Sequence, residues 1–288
     1  MFTVSHKEGP IALIELTDAA AGSVAAVAPS RGGMATRLLI DGQEILFLDE
    51  ASFLNVPGNV RGGNPLLFPS PGKLTDDAWS NQGRGGSMKQ HGFGRNAAWS
   101  VHGTGTEGAA SLTLRLASDD QTRAQFPWDF EALYTYTLRG DALRIDQQIT
   151  NTGEGRMPFG LGFHPYFQVP QAEKAQTRIE TATTRVYDNA AKAEIAFEGF
   201  DLCADEVDYH LLDHGSTVGT LSRPGWDRRM VLSCSEAFTH WVVWTLKGRD
   251  FVCLEPWTCP GDALNTGDRL LHLDAGQSMT VWTEIAYR

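Results

Sequence analysis

The chain is expected to fold as an all-β protein, an antiparallel sandwich or barrel. Three observations predict it: apolar residues recur at every second position in many short runs, turn residues separate those runs, and no helical stripe of useful length occurs. In chain order the alternation covers residues 11–16, 111–116, 134–138, 142–149, 230–233 and 279–285. A strand with this pattern turns one face to a core and the other to water. Asp41-Gly42, Gly140-Asp141, Asn151-Thr152-Gly153, Lys247-Gly248 and Ala275-Gly276 supply the turns. No repeat or linker interrupts the order, so residues 1–288 read as a single domain, a length that all-β domains often reach.

Composition narrows the function. With 42% hydrophobic residues the chain can bury a full core. Its 35 acidic and 24 basic residues leave a net charge of -11, which opposes binding to nucleic acid or to an anionic membrane. The opening Met1-Phe2-Thr3-Val4-Ser5-His6-Lys7-Glu8 lacks the order of a signal peptide, and the Ala-rich segment 19–29, broken by Gly22 and Ser23, is too short to span a bilayer. Cys203, Cys234, Cys253 and Cys259 form no C-x-x-C pair, which fits reduced, mostly buried thiols of a cytoplasmic protein better than a zinc cluster.

Residues 59–95 break the strand pattern. They are rich in Gly, Pro, Asn and Ser, with few apolar residues after Phe68. Such an excursion is either functional or a mobile surface loop, and Arg61, His91 and Arg95 within it favour function.

Three stretches carry chemistry. Over residues 159–167 an extended strand would place Gly160, Gly162, His164 and Tyr166 on one face and Phe159, Leu161, Phe163 and Pro165 on the other. The glycines would leave room for a ligand beside the imidazole, and Pro165 biases His164 toward extended backbone. In residues 251–257 the carboxylate of Glu255 ends an apolar run, where desolvation raises its pKa unless a cation offsets it. Trp257 offers an aromatic wall suited to the C–H face of a sugar. In His91-Gly92-Phe93-Gly94-Arg95 and Arg61-Gly62-Gly63-Asn64-Pro65, glycine-flanked donors can turn into a cleft, and neither stretch matches a phosphate-binding loop. Taken singly, each stretch has a structural reading: a hydrogen-bonded core histidine, or a glutamate paired with an arginine.

In order along the chain, Arg61-Gly62-Gly63-Asn64-Pro65, His91-Gly92-Phe93-Gly94-Arg95, Gly162-Phe163-His164-Pro165-Tyr166-Phe167 and Leu254-Glu255-Pro256-Trp257 resemble the aldose 1-epimerase (galactose mutarotase-like) family. The likeness runs from Ala28-Pro29-Ser30-Arg31-Gly32-Gly33 to Ala263-Leu264-Asn265-Thr266-Gly267. It implies a large antiparallel β-sandwich of the galactose mutarotase-like supersandwich type, with a small-molecule sugar in a cleft across one sheet and no cofactor or metal. It also implies that Glu255 is the general base for the C1 hydroxyl and His164 the general acid for the ring oxygen. His91 would bond near the ring or anomeric oxygen, and Arg61 would grip sugar hydroxyls. The family's sugar-binding aspartate maps best to Asp208, with Asp205 and Asp213 as competitors. Histidine titrates near neutral pH and glutamate is ionised there, so the residue types suit the roles.

Two other readings stay open beside a free-aldose mutarotase. Arg61-Gly62-Gly63 looks like the branch that includes hexose-6-phosphate epimerases, for which Arg61, Lys73, Arg84, Lys89 and Arg95 are the candidate cations. A carbohydrate-binding protein without catalysis would keep the same fold. A glycoside hydrolase needs two carboxylates, and only Glu255 sits in a persuasive setting.

Overall fold

The alternating runs pair into antiparallel ladders. In the computed structural model, which describes residues 1–56 and 58–288, Ala110–Ala117, Phe130–Arg139, Ala142–Asn151 and Ser278–Tyr287 lie side by side in register. Every second residue of the first two is buried, Leu112, Leu114, Tyr134 and Tyr136 completely. With Ser100–Gly105 at one edge and Met230–Cys234, Val218–Ser222 and Arg178–Glu180 toward the other, they form an eight-stranded sheet.

A second eight-stranded sheet faces it. Its centre is Glu206–Leu211, His240–Leu246 and Phe251–Trp257, flanked by Arg185–Asp188 and Ala193–Ala196 on one side and by Gly162–Phe163 and Leu66–Leu67 on the other. Tyr166–Gln168 also pairs with Phe251–Trp257. The inner faces interlock closely: a Cβ on Gly219 of the first sheet would lie 2.8 Å from Leu254 and 3.0 Å from Trp241 of the second. The core therefore sits between the sheets, as in any β-sandwich. A five-stranded sheet from Phe2–Lys7 to Gln43–Glu44 packs against the first sheet and shares the same apolar cluster. Helices are short, Asp120–Gln125 and Gln171–Gln176 having six residues each, and among the described residues none is long and apolar enough to cross a membrane.

The expectation of one strand over residues 159–167 is corrected. Met157–Phe159, Gly162–Phe163 and Tyr166–Gln168 are separate pieces. Between them the Gly160 N–H donates to Pro69 O and the Leu161 N–H to the Thr258 hydroxyl, so the ladder is broken by long-range partners. The glycines do not leave ligand space either. A Cβ on Gly160 would lie 2.5 Å from Cys259 Sγ, and one on Gly162 would lie 2.8 Å from the Trp257 ring. They admit close packing, and Gly162 is what lets the Trp257 ring seat.

Residues 59–95 are also more ordered than expected. They hold Leu66–Leu67, a single helical turn at Thr75–Asp77, and the hairpin Ala78–Asn81 with Arg84–Ser87. The segment from Gly62 to Pro71 is buried throughout. All four cysteines are free, and three are buried.

Candidate active site

Period two builds the floor of a cleft on the outer face of the second sheet. Asp208 and His210 of one strand, His240, Val242 and Trp244 of the next, and Cys253, Glu255 and Trp257 of the third share that face. Their alternating neighbours, Val207, Trp241, Val243, Val252 and Leu254, face the core. Loops from 59–76, 90–95 and 260–269 raise the walls around a cavity of about 1000 Å³.

Each wall is pinned. Arg31, 4% exposed, donates to the carbonyls of Phe53, Ser52, Asn55 and Gly58 at 3.1, 3.3, 3.1 and 2.6 Å, which fixes the segment leading to Arg61. That gives the Ser30-Arg31-Gly32 motif a structural task. On the far side, Asp262 accepts from the Thr75 N–H and hydroxyl, each at 3.0 Å, and joins the two loops. At their junction Gly72 and Gly261 touch: a Cβ on Gly72 would lie 2.6 Å from Gly261 Cα.

His164 and Glu255 meet at the buried end. His164 Nε2 lies 3.3 Å from Glu255 Oε1, with the residues 8% and 1% exposed. The Trp257 indole N–H donates to Glu255 Oε2 at 3.2 Å, and among the described residues no arginine forms an ion pair with this carboxyl. Burial, and then the nearby Asp208 carboxylate, push Glu255 well above the usual carboxylate range, opposed by the indole and Arg95. Burial and Arg95 lower His164 to about 3. Both shifts disfavour the charged form of their group, so the pair is set to share a proton rather than to stand as a fixed ion pair. His164 stacks on Tyr166 at 4.8 Å, and its Nδ1 has no hydrogen-bond partner among the described residues.

His91 stands beside this pair, its ring 5.5 Å from that of His164. A positive φ of 71° turns it inward, and it exchanges hydrogen bonds with Gly72: its N–H donates to Gly72 O and its Nδ1 accepts from the Gly72 N–H at 3.0 Å. Accepting at Nδ1 puts the proton of the neutral ring on Nε2, which lies 3.2 Å from the Gln90 side-chain amide. Gly92 must follow with positive φ, since a Cβ there would lie 2.2 Å from Phe68 O.

Asp208 lines the cleft, half-buried, with burial raising its pKa. Asp205 is exposed and paired with Lys247, and Asp213 is consumed by Thr183, Thr184 and the Arg185 N–H, so neither faces the cavity. Of the candidate cations, Arg61, Lys73 and Arg95 line it. Arg84 and Lys89 do not, which corrects the expectation: Arg84 lies over Trp128 and donates to Pro127 O, and Lys89 pairs with Asp77.

Sequence reasoning missed His210, His240 and Arg269. His210 Nδ1 and His240 Nε2 are 2.8 Å apart, and an Arg269 N–H donates to His240 Nδ1 at 3.4 Å. The alternation in Val207-Asp208-Tyr209-His210 carried a signal for His210, since it shares the face of Asp208; Arg269 left none. As for metals, donor atoms of His164, Cys253 and Glu255 lie within 4.8 Å of one another. Burial pushes the Cys253 thiol well above its ordinary range.

Comparison with known proteins agrees with this architecture. The family described as aldose 1-epimerase matches residues 13–286. A Cenchrus ciliaris protein, named provisionally as a glucose-6-phosphate 1-epimerase, is 29% identical over 58% of this chain and 50% of its own, so the chain spans half the length of that relative. The chromosomal LacX protein of Lactococcus lactis subsp. lactis is 25% identical over 80% of this chain and 83% of its own. The crystal structure of the Slr1438 protein of Synechocystis sp. PCC 6803 superposes with a TM-score of 0.93 at 34% identity, covering 100% of this chain and 99% of that one.

Proposed function

The chain belongs to the aldose 1-epimerase family, and on that premise we propose that it interconverts the α and β anomers of an aldose by general acid–base ring opening and reclosure, without a cofactor. One observation carries the reading: the Glu255 carboxyl and the His164 imidazole meet at 3.3 Å in the buried end of the cleft. The anomeric and ring oxygens are bonded to the same carbon, so an acid and a base serving them must stand side by side.

Glu255 takes the proton of the C1 hydroxyl as His164 delivers one to the ring oxygen. The C1–ring oxygen bond breaks, the aldehyde forms, and rotation about C1–C2 followed by reclosure reverses both transfers. The pair needs one titratable proton shared between its two members. Moving that proton from carboxyl to imidazole leaves the cleft's net charge unchanged, and Arg95 together with sugar hydroxyls stabilises the carboxylate so formed. His91 offers its Nε2–H to the ring or anomeric oxygen, Asp208 and Arg61 hold hydroxyls, and Trp257 walls the C–H face. Each positioned acid or base contributes on the order of 10²–10⁴-fold, enough for a reaction that already proceeds in water.

A second reading, a hexose 6-phosphate substrate, is favoured by the cations: the side chains of Arg61, Lys73 and Arg95 line the cleft without an ion pair or hydrogen bond among the described residues. Saturation-transfer NMR across free and 6-phosphorylated aldoses tests both readings. Accelerated exchange for one series assigns the substrate; sugar binding with exchange at the spontaneous rate overturns catalysis. The four free thiols are in keeping with a reducing compartment.

A further inference from the structure

Two hydrogen-bond chains converge beside the catalytic pair, and each begins at a side chain that only donates. A guanidinium has no acceptor, so the 3.4 Å contact of Arg269 with His240 Nδ1 requires a lone pair there. His240, 3% exposed and neutral, therefore carries its proton on Nε2 and donates it to His210 Nδ1 at 2.8 Å. His210 must then carry its own proton on Nε2, which points toward Asp208 Oδ1 at 3.6 Å. A second proton on His210 Nδ1 would face the His240 N–H head-on, so His210 cannot become an imidazolium without breaking the chain.

The opposite wall repeats the logic. Lys192 donates to Asn189 Oδ1 at 2.7 Å, which orients the amide so that its NH₂ donates to Asp208 Oδ2 at 2.6 Å. That leaves Asp208 Oδ1 as an open acceptor next to the His210 Nε2–H donor. The 3.6 Å between them is too long for a good hydrogen bond. A hydroxyl can both donate and accept, and one placed between these groups would complete both chains.

We propose that the Arg269–His240–His210 relay fixes an N–H donor beside the open oxygen of Asp208, so that His210 and Asp208 together read a single sugar hydroxyl as donor and acceptor at once. The proposal rests on the cleft being the sugar site. It makes His210 a specificity-determining residue and His240 and Arg269 positioning residues. The position they read must bear a free hydroxyl: a deoxy, O-methyl or phosphorylated carbon there loses one or both bonds and leaves a buried polar group unmet.

The test has two arms. Long-range ¹⁵N–¹H NMR of the sugar-free protein between pH 6 and 8 should show His210 and His240 as neutral Nε2–H tautomers, and Arg269→Met or His240→Phe should release His210 into a mixture. An Nδ1–H tautomer or an imidazolium at either ring in the unmodified protein overturns the relay, whatever the cleft binds. In the second arm, monodeoxy aldoses are compared by saturation-transfer exchange. One position should raise KM ~10-fold or more with kcat changed less than ~2-fold, and His210→Ala should erase that discrimination. Intact tautomers with no such position overturn the hydroxyl reading. Loss of all sugar binding would instead count against the cleft's assignment, and the first arm tells the two failures apart.

Discussion

His164 and His210 occupy the same cleft, each within hydrogen-bonding distance of another titratable group, yet their protons have opposite freedoms. His164 touches a carboxyl at 3.3 Å and has no partner at Nδ1 among the described residues, so its tautomer follows the carboxyl's proton and its own proton can be given and taken back. His210 receives its neighbour's proton at 2.8 Å from a ring oriented by Arg269, so its own proton is held on one nitrogen. Burial keeps both neutral, lowering His164 to about 3 and His210 to about 4. Desolvation alone does not make a catalytic histidine; the partner does. A partner that can accept a proton leaves a ring free for chemistry, and a partner that only donates turns it into a fixed recognition element.

Glu255→Gln should give the largest effect, since it removes the proton acceptor but keeps an oxygen for the Trp257 indole. Anomer exchange should fall about 10³-fold or more with the thermal midpoint little changed. His164→Asn should follow, with a loss on the order of 10²–10³-fold, because a nearby water can replace part of an acid. Unaltered exchange in either variant would erase the contrast between the two histidines. Asp208→Asn removes the acceptor at the fixed site, so KM should rise ~10-fold with a smaller change in kcat. Asp205→Asn, at an exposed ion pair, should leave both constants alone. Steady-state rates for the four proteins decide these points.

Stability against pH sharpens the comparison further. His91, His164, His210 and His240 all have folded values below the ordinary 6.5, so the unfolded chain binds more protons as the pH falls below that value. The histidines' contribution is full above about 6.5 and declines toward pH 5, before most other carboxyls titrate. Glu255 and Asp208, raised in the folded state, slope the other way, two carboxyls against six histidines once His214 and His272, also lowered by burial, are included. The net loss should be on the order of a few kcal/mol between pH 7 and 5, about 1.4 kcal/mol per pH unit for each proton of difference, read from urea midpoints at pH 7, 6 and 5. His240→Phe should flatten the slope.

What the sequence made legible follows the reach of each signal. Alternation is local, so Ala110–Ala117 and Ser278–Tyr287 could be read nearly to their ends, and Asp208 could be placed on one face of its strand. Glu255, His164, His91, Arg61 and Trp257 could be gathered only because four motifs in order resemble a family. Geometry then brings them to one cavity. The illegible parts depend on partners distant in the chain. Gly160 and Gly162 read as ligand space because nothing local shows that Cys259 and Trp257 fill it. His240 opens a run of apolar residues with no motif around it; its meaning comes from Arg269, a loop residue with no periodic context. Lys89 read as a cleft cation because its ion pair with Asp77 bridges the hairpin and leaves no trace in composition.

The contact between Gly72 and Gly261 sets how closely two loops meet at the rim of the cleft. Two residues without side chains set how near its walls approach, so the spacing can be altered without touching any polar group. Gly261 has room for a small increment: a methyl there would meet Lys73 O at 3.2 Å and Lys73 N at 3.3 Å, asking the wall to yield by a few tenths of an ångström. Gly261→Ala should widen the mouth slightly and shift the ratio of exchange rates between hexoses and pentoses by ~2-fold, leaving proton transfer intact. Size selection and chemistry in this cleft can therefore drift independently, the one by single carbons at a hinge of glycines, the other only by replacing an acid or a base.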